Sequence, residues 1–364
     1  MGAITTSSLD KEEIHHLALW MPNWIGDVVL ALPALQSLRG QYPNARLTAI
    51  VRPPSDEVLS SHPAIDSVIR FPRNQRDGLL AQVNYARGLS KYRFDLGVVF
   101  PNSFHSALML ALAGARFRMG YATERRGIFL THPLPVTDVA KKTEYRVDYF
   151  YKILTPVNPG PRPDRFDSIW PKEGGPVLEE ILREVRVNSS DFFVTLHPGT
   201  SKPERAWHAE RFGVLCQKLI KEYRMKIILL GNEREHGLLE KIRGLCPPET
   251  TYIVPRLNLL EIARVLEASQ LFIGNDSGMM HLAALVGTPI VGIFGPGHPG
   301  TTGPHILPEK QEIVTRQYPC SPCRQRFFKE CKPSPYHKPL CLEDISVKDV
   351  SEAVERIVRR LEIP

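Results

Sequence analysis

Residues 271–304, LFIGNDSGMMHLAALVGTPIVGIFGPGHPGTTGP, decide how the chain folds. A short apolar run ends at Gly274, and the four polar residues that follow, NDSG, supply the turn and N-cap chemistry that opens a helix. Residues 279–286 repeat apolar side chains at helical spacing, and the sequence Gly-Thr-Pro then stops the helix before a second apolar run at residues 290–294. This order of strand, tight turn, helix and strand predicts a parallel βαβ unit.

The turn in this unit is suited to an anionic ligand. A turn at the carboxyl end of a parallel strand presents backbone N–H groups and the positive end of a helix dipole. Ser277 and Gly278 are small enough to let a phosphate approach. The same residues also fit an ordinary strand–helix turn capped by Asp276, so the turn alone leaves both interpretations open.

The composition is that of a globular protein with room for two domains. The chain has 364 residues, of which 43% are hydrophobic and 23% charged, and its apolar runs fall well short of the roughly 20 residues that span a bilayer. The first 16 residues are polar and acidic where a secretion signal would be apolar, so we expect a cytoplasmic protein. The net charge of +7 favours an acidic partner, such as a phosphorylated lipid headgroup, a nucleotide or a nucleic acid, without choosing among them.

Predicted strands and helices alternate on both sides of a stretch rich in proline and glycine. The predicted strands cover residues 16–21, 45–51, 65–71, 94–100, 192–196, 226–231, 251–254, 271–274 and 290–294. Such alternation predicts an α/β protein with two Rossmann-like, doubly wound parallel-sheet domains facing a cleft. We assign residues 1–160 to the first domain, 161–176 to a linker and 177–364 to the second, which ends in a cysteine-rich segment and a helix. Ligands of such sheets bind at the carboxyl ends of the strands.

Four motifs in this order resemble the ADP-heptose:lipopolysaccharide heptosyltransferases, most closely their type II members. They are NWIGDVVLALPAL at residues 23–35, FPNSFHSALMLALAGARFRMGY at 100–121, LHPGT at 196–200 followed by Trp207, and NDSGMMHLAALVGTPIVGIFGP at 275–296. The resemblance spans nearly the whole chain. It implies an inverting glycosyltransferase of GT-B fold that needs no cofactor and no metal.

The resemblance also implies roles for individual residues. Asp27 occupies the position of the family's catalytic aspartate, which would accept the proton of an acceptor hydroxyl, although its place at a helix start equally suits a residue that only stabilises the helix dipole. Glu235 resembles the family's ribose-binding glutamate, and a solvated helix-start acid is the alternative. The residues expected to bind the ADP-heptose donor are Thr200, Arg205, Glu235, Asp276, Ser277, Gly278 and His281, although His281 could simply pack inside its helix.

The acceptor is expected to be a heptose of the lipopolysaccharide inner core, reached at the cytoplasmic face of the inner membrane. Residues expected at the acceptor site are Asn102, Ser103, Arg116 and Arg118, with Arg125 and Arg126 as further candidates for its phosphates. A transferase of the same fold for another sugar is the nearest alternative, because nothing in the sequence reads the sugar hydroxyls. Nucleic-acid binding is disfavoured, since the chain has no interleaved aromatic and basic platform.

Two features depart from the family pattern or stand outside it. Gly297 replaces a threonine that many relatives carry, so a hydroxyl contact is lost and we expect a more flexible loop. Cys320, Cys323, Cys331 and Cys341 form C-x2-C-x7-C-x9-C, which suits a zinc site in number but not in the regularity of its spacing. We therefore expect reduced thiols and leave zinc open.

Overall fold

The computed structural model describes residues 9, 11–71, 78–166, 175–188, 191–248, 250–254, 257–320, 323, 325–329 and 331–363. The chain divides into two compact units, Met1–Pro163 and Asp164–Pro364. The middle of the predicted linker, residues 167–174, lies outside the described residues. The described part has no helix long and apolar enough to cross a membrane.

The first unit holds a six-stranded parallel sheet in the order β3-β2-β1-β4-β5-β6. Its strands are β1 (His16–Trp20), β2 (Arg46–Val51), β3 (Ser67–Arg70), β4 (Leu96–Val99), β5 (Phe117–Tyr121) and β6 (His132–Leu134). Its helices are α1 (Ile25–Gln41), α2 (Asp56–Ser60), α3 (Gly78–Gly88), α4 (Phe104–Leu112), α5 (Asp138–Thr143) and α6 (Arg146–Tyr151), with 3-10 turns at Lys11–Glu13, Leu89–Tyr92, Arg126–Phe129 and Lys152–Val157.

The second unit repeats this order as β12-β11-β10-β7-β8-β9, again all parallel. Its strands are β7 (Phe193–His197), β8 (Lys226–Leu230), β9 (Thr251–Val254), β10 (Leu271–Asn275), β11 (Ile290–Phe294) and β12 (Gln311–Thr315). Its helices are α7 (Gly175–Glu184), α8 (Ala209–Tyr223), α9 (His236–Arg243), α10 (Leu259–Ala268), α11 (Gly278–Leu285), α12 (Pro299–Thr302), α13 (Leu340–Glu343) and α14 (Val347–Arg360), with 3-10 turns at Pro203–Arg205, Glu233–Glu235 and Pro308–Lys310.

The strand order fixes where a ligand can bind. In each unit the first strand lies at the centre of the sheet. The next two strands are added on one side of it and the last three on the other. The helices that follow the two central strands therefore lie on opposite faces of the sheet. The switch point lies between β1 and β4 in the first unit and between β7 and β10 in the second. The prediction of two Rossmann-like parallel-sheet domains is confirmed.

Strands β5, β6 and β12 and helix α7 are among the elements that the sequence patterns did not predict. The sequence patterns did not indicate β5, β6 or β12, whose burial is incomplete and whose residues include arginine, proline and glutamate. Helix α7 begins at Gly175, inside the stretch predicted to be linker. Pro176 is compatible with the first helical turn because the N–H group it lacks has no intrahelical acceptor there.

Candidate active site

The switch point of the second unit joins two turns through one buried amide. Asn275 ends β10, and its Nδ2 donates to the carbonyl of Pro198 at 2.7 Å, just past β7. Its Oδ1 accepts from the backbone N–H of Trp207 at 3.0 Å. The Trp207 side chain is itself buried, and its Nε1 donates to Ile345 O at 2.9 Å. These bonds hold the LHPGT turn and the NDSG turn side by side at the carboxyl edge of the sheet.

The partly buried Arg205 forms an ion pair with the buried Asp276 at this edge. The Arg205 guanidinium binds the Asp276 carboxylate through Nη2, which also donates to the Asp276 backbone oxygen at 2.8 Å. Burial raises the pKa of Asp276, and the Arg205 charge and hydrogen bond oppose that rise. The Nε of Arg205 is buried and has no hydrogen-bond partner among the described residues. The guanidinium therefore retains an unused donor.

The first turn of α11 does not use the side chains that the sequence offered as caps. Ser277 is the N-cap residue, but its hydroxyl does not accept from the helix and lies 3.2 Å from His197 Nδ1 instead. Asp276 is held by Arg205, so the interpretation of this turn as one capped by Asp276 is not what the structure shows. The Ser277 side chain accepts no hydrogen bond from the backbone N–H groups at this helix end, which leaves the N-terminus suited to an anion.

Glu235 joins the same cluster through His197. The Nε2 of His197 lies 3.7 Å from Glu235 Oε2, and that carboxylate oxygen accepts from the Asn232 backbone N–H at 2.9 Å in a capping box. Burial pushes the pKa of Glu235 upward, but the His197 and Asn232 interactions outweigh it and leave the pKa lowered. Gly199 is required here because a Cβ at that position would overlap the Glu235 carboxylate.

The two other predicted donor residues differ in their surroundings. Thr200 is partly exposed, and its Oγ1 donates to Lys202 O at 2.5 Å. His281 is buried in the second turn of α11, and its Nδ1 has no hydrogen-bond partner among the described residues. Burial, reinforced by the charge of Arg205, lowers the pKa of His281 to about 4. This imidazole is therefore neutral near pH 7 and does not add positive charge to the site.

His197 is a residue of this cluster that the sequence reasoning missed. It bridges Ser277 and Glu235, which belong to turns 42 residues apart in the chain. The available signal was its place in LHPGT, where a polar side chain ends a strand that is otherwise apolar apart from Thr195. A polar residue at the carboxyl end of a central strand faces the ligand edge of the sheet.

Asp27 lies in the first turn of α1, directly after the central strand of the first unit. Trp24 is the N-cap residue and gives the helix no side-chain cap, and Asp27 is partly buried three positions later. Asn102 and Ser103 follow β4, the other strand of the switch point. Asn102 exchanges hydrogen bonds with the Tyr149 hydroxyl, at 2.7 and 3.0 Å, and Ser103 caps α4 by accepting from Ser106 N–H at 3.3 Å.

The predicted acceptor arginines do not gather at this edge. Arg116 precedes β5 and pairs with Glu13 at 3.0 Å, so the length of that five-residue strand, roughly 16 Å, separates it from the carboxyl edge. Arg118 donates to the carbonyls of Phe129 at 2.6 Å and Ala115 at 2.5 Å. The structure thus brings Asn102 and Ser103 together and leaves both arginines engaged elsewhere.

Arg126 lies at the carboxyl edge of the sheet, but its side chain has a structural role. Its side chain is buried, with Nε donating to Tyr121 O at 2.7 Å and Nη1 to Ser106 Oγ and Ser103 O at 3.2 Å each. Burial lowers the pKa of its guanidinium to about 10. Arg125 is exposed in a left-handed backbone conformation beside it.

An open pocket lies at the carboxyl ends of β1, β2 and β4. The residues that line it include Trp20, Asn23, Arg52, Phe71, Ser103 and His105. Of these, only Ser103 was predicted to bind a ligand.

The six cysteines, all of them described, form no disulfide. Burial and the neighbouring Cys320, Cys323 and Cys331 raise the pKa of Cys341 to about 12. Within the described ranges, no group of three or more histidine, cysteine or acidic side chains is arranged to hold a metal ion.

Two Rossmann-like units in one chain, each with a polar switch point, define a protein of the GT-B class. Residues 83–334 match the model of glycosyltransferase family 9 (heptosyltransferase), and the chain belongs to that family. The predictions of the family and of glycosyltransferase activity are confirmed.

Curated relatives cover several heptosyltransferase types. Lipooligosaccharide heptosyltransferase 2 of Haemophilus influenzae is 24% identical over 307 residues, which is 80% of this chain and 86% of the relative. Lipopolysaccharide heptosyltransferase 1 of Pseudomonas aeruginosa is 23% identical over 83% of this chain and 84% of its own. Lipopolysaccharide heptosyltransferase 3 of Escherichia coli is 21% identical over 74% of this chain and 80% of its own. Identities this similar do not select one type.

Solved structures share the fold. The E. coli ADP-heptose lipopolysaccharide heptosyltransferase II superimposes with a TM-score of 0.78 at 20% identity, covering 95% of this chain and 99% of that one. A second E. coli heptosyltransferase, solved with ADP, gives a TM-score of 0.69 at 17% identity, covering 94% of this chain and 99% of that one.

Proposed function

We propose that the protein transfers a heptose from ADP-heptose to a heptose of the lipopolysaccharide inner core, with inversion at the anomeric carbon, as a type II heptosyltransferase does. The observation that carries the proposal is the cluster at the switch point of the second unit. It combines the partly buried Arg205 guanidinium with a helix N-terminus that Ser277 leaves uncapped. Together these groups suit a diphosphate.

The donor would bind with its diphosphate against Arg205 and the first turn of α11. Glu235, held by His197 and Asn232, would accept hydrogen bonds from the ribose hydroxyls, since its lowered pKa keeps it ionised near pH 7. One E. coli heptosyltransferase of the same fold was solved with ADP, which supports ADP as the nucleotide of the donor. Residues 164–364 would then form the donor domain.

The chemistry follows from charge. As the acceptor hydroxyl attacks the anomeric carbon, the bond from that carbon to the diphosphate breaks and ADP leaves with the electron pair. Asp27 would take the hydroxyl proton, and Arg205 with the Ser277 and Gly278 amides would stabilise the negative charge that develops on ADP. A cation supplied by the chain in this position removes the need for a divalent ion.

The acceptor would meet the first unit at the edge that carries Asp27, Asn102 and Ser103. Because the lipid of such an acceptor resides in a bilayer, the enzyme would work in the cytoplasm against the surface of the inner membrane. The net charge of +7 is favourable for approach to an anionic surface. No nucleic-acid partner is part of this proposal.

The decisive experiment is incubation of the full chain with ADP-heptose and core acceptors that carry no, one or two heptoses. We expect ADP release and the mass gain of one heptose only on the acceptor with a single heptose. Other nucleotide sugars serve as matched donors. Transfer to the acceptor without heptose would indicate type I specificity, and turnover only with another sugar would overturn the donor assignment.

A further inference from the structure

Arg52 places a guanidinium in the pocket of the first unit. It follows β2 directly and is partly buried, and its guanidinium carbon lies 5.6 Å from the centre of the Phe71 ring. Phe71 in turn contacts Trp20, with ring centres 5.0 Å apart, and His105, at 6.0 Å. An aromatic wall thus orients the cation at the mouth of a site beside the switch point.

This guanidinium has no anionic partner in the part of the chain that the structure describes. It lies over the face of Phe71, whereas Arg70, the residue directly before Phe71, pairs with the buried Asp56. An arginine presents five donors in a fixed fork that matches the oxygens of a phosphate or carboxylate. Arg52 therefore has the donors of an anion site available at this edge.

The other polar groups of the pocket do not compete with Arg52 for an anion. His105 Nε2 lies 2.6 Å from Gln82 Oε1, so that nitrogen is engaged by Gln82. Burial, with the Arg52 charge as a second cause, lowers the pKa of His105. Among the described residues that line the pocket, Arg52 is thus the one cation near pH 7, and Asn23 and Ser103 supply neutral hydrogen-bonding groups.

We propose that this pocket is an anion subsite of the acceptor site, in which Arg52 binds a phosphoryl or carboxylate group of the acceptor against the wall formed by Trp20 and Phe71. The inference rests on the proposed function for the identity of the acceptor. It assigns to Arg52 the task expected of Arg116 and Arg118, whose guanidinium groups are engaged elsewhere. The ligand class is an acidic sugar.

The test compares Arg52→Gln, Arg52→Lys and Arg87→Gln in the full chain. Arg87 is exposed in the last turn of α3 and does not line the pocket, so its replacement removes an equal charge without touching the subsite. The acceptor is a heptose-bearing core used with its phosphates and after phosphatase treatment. Acceptor binding is measured by calorimetry without donor, and the KM for each substrate is measured where turnover occurs.

We expect Arg52→Gln to weaken acceptor binding and raise the acceptor KM about tenfold or more, the usual value of a hydrogen bond to a charged group. The acceptor KM of Arg52→Lys should lie between those of the wild type and Arg52→Gln, because lysine keeps the positive charge but lacks the paired donors of a guanidinium. The donor KM and the thermal unfolding midpoint should not change. Arg87→Gln should behave as the wild type.

Each outcome has a distinct meaning. Loss of the Arg52 effect after phosphatase treatment identifies a phosphoryl group, and its persistence identifies a carboxylate. Wild-type acceptor binding in Arg52→Gln, or an equal loss in Arg87→Gln, overturns the subsite. If binding depends on Arg52 while no heptose is transferred from any donor, the subsite stands and the proposed function fails.

Discussion

Gly297 lies directly against the carboxylate of Asp276. A Cβ at residue 297 would overlap Asp276 Oδ2 and come within 3.0 Å of the Phe294 ring. Because the same oxygen pairs with Arg205, the missing side chain makes room for the ion pair. The sequence suggested a lost hydroxyl contact and a more flexible loop at this glycine, and the structure adds a steric requirement.

Replacement of Gly297 by threonine should therefore disturb the donor cluster. The new side chain must displace the Asp276 carboxylate or the loop, at a cost of about 1–3 kcal/mol, and we expect weaker ADP binding together with a lower unfolding midpoint. Calorimetric titration with ADP and thermal denaturation measure both effects. Gly237→Ala is the matched control, since a Cβ there meets nothing within 4 Å. ADP affinity equal to wild type in Gly297→Thr would contradict the steric argument.

Asp27→Asn should lower the turnover number by about two to four orders of magnitude, because an amide cannot accept the acceptor proton. The ADP affinity should barely change. Asp138→Asn is the control, as Asp138 is an exposed acid in the first turn of α5 and shares only the helix-start position. Near-normal turnover in Asp27→Asn would reduce Asp27 to an acid that stabilises the helix dipole.

Arg205 should decide donor binding without help from a metal ion. Arg205→Lys keeps the positive charge but removes the paired guanidinium donors that bind a phosphate bidentately, so ADP affinity should fall about tenfold. Removal of the charge is best made together with Asp276→Asn, since a lone buried carboxylate would cost about 3–5 kcal/mol of stability. Arg243→Gln, an exposed change on α9, is the control.

The same hypothesis predicts that activity survives EDTA. The measurement is heptose transfer with and without chelator. Loss of transfer in chelator, with recovery in magnesium and not in zinc, would show that Arg205 does not replace a divalent ion.

The long apolar and amphipathic segments could be predicted from the sequence alone. Apolar periodicity is a local signal, and it predicts helices at about residues 209–223 and at 259–268 and a strand at 290–294. These bounds agree with α8 (Ala209–Tyr223), α10 (Leu259–Ala268) and β11 (Ile290–Phe294). Strand β6 escaped prediction since it is a three-residue edge strand containing Pro133. Its position depends on pairing with β5, which no local pattern encodes.

The candidate site could be predicted only in part, for a similar reason. Turn positions such as Asp276 and Ser277 follow from the strand and helix pattern, whereas the destination of a long cationic side chain depends on distant chain segments. Arg118 is engaged by loop carbonyls, and Arg52 is left in a pocket by the placement of Phe71. Neither outcome has a signature in the neighbouring sequence.

The stability of the protein should fall in acid because His281 is buried. His281 is buried and neutral, with a pKa lowered to about 4 by burial and by Arg205, against an ordinary value of 6.5. Between these values the unfolded chain binds more protons than the folded one, so this histidine makes stability rise with pH. Acidification from pH 7 to pH 4 should remove about 3 kcal/mol through His281, and buried His62, whose pKa is also lowered to about 4, should act alike in the first unit.

The measurement is the urea unfolding midpoint as a function of pH for wild type, His281→Gln and His236→Gln. Glutamine does not titrate, so His281→Gln should flatten the curve between pH 4 and 6.5 whatever its effect on stability at pH 7. His236 is exposed, with 60% of its side chain accessible, and its replacement should leave the slope unchanged. Equal slopes in all three proteins would mean that His281 gains its proton in the folded state as easily as in the unfolded chain, and that the cluster around Arg205 is open to water.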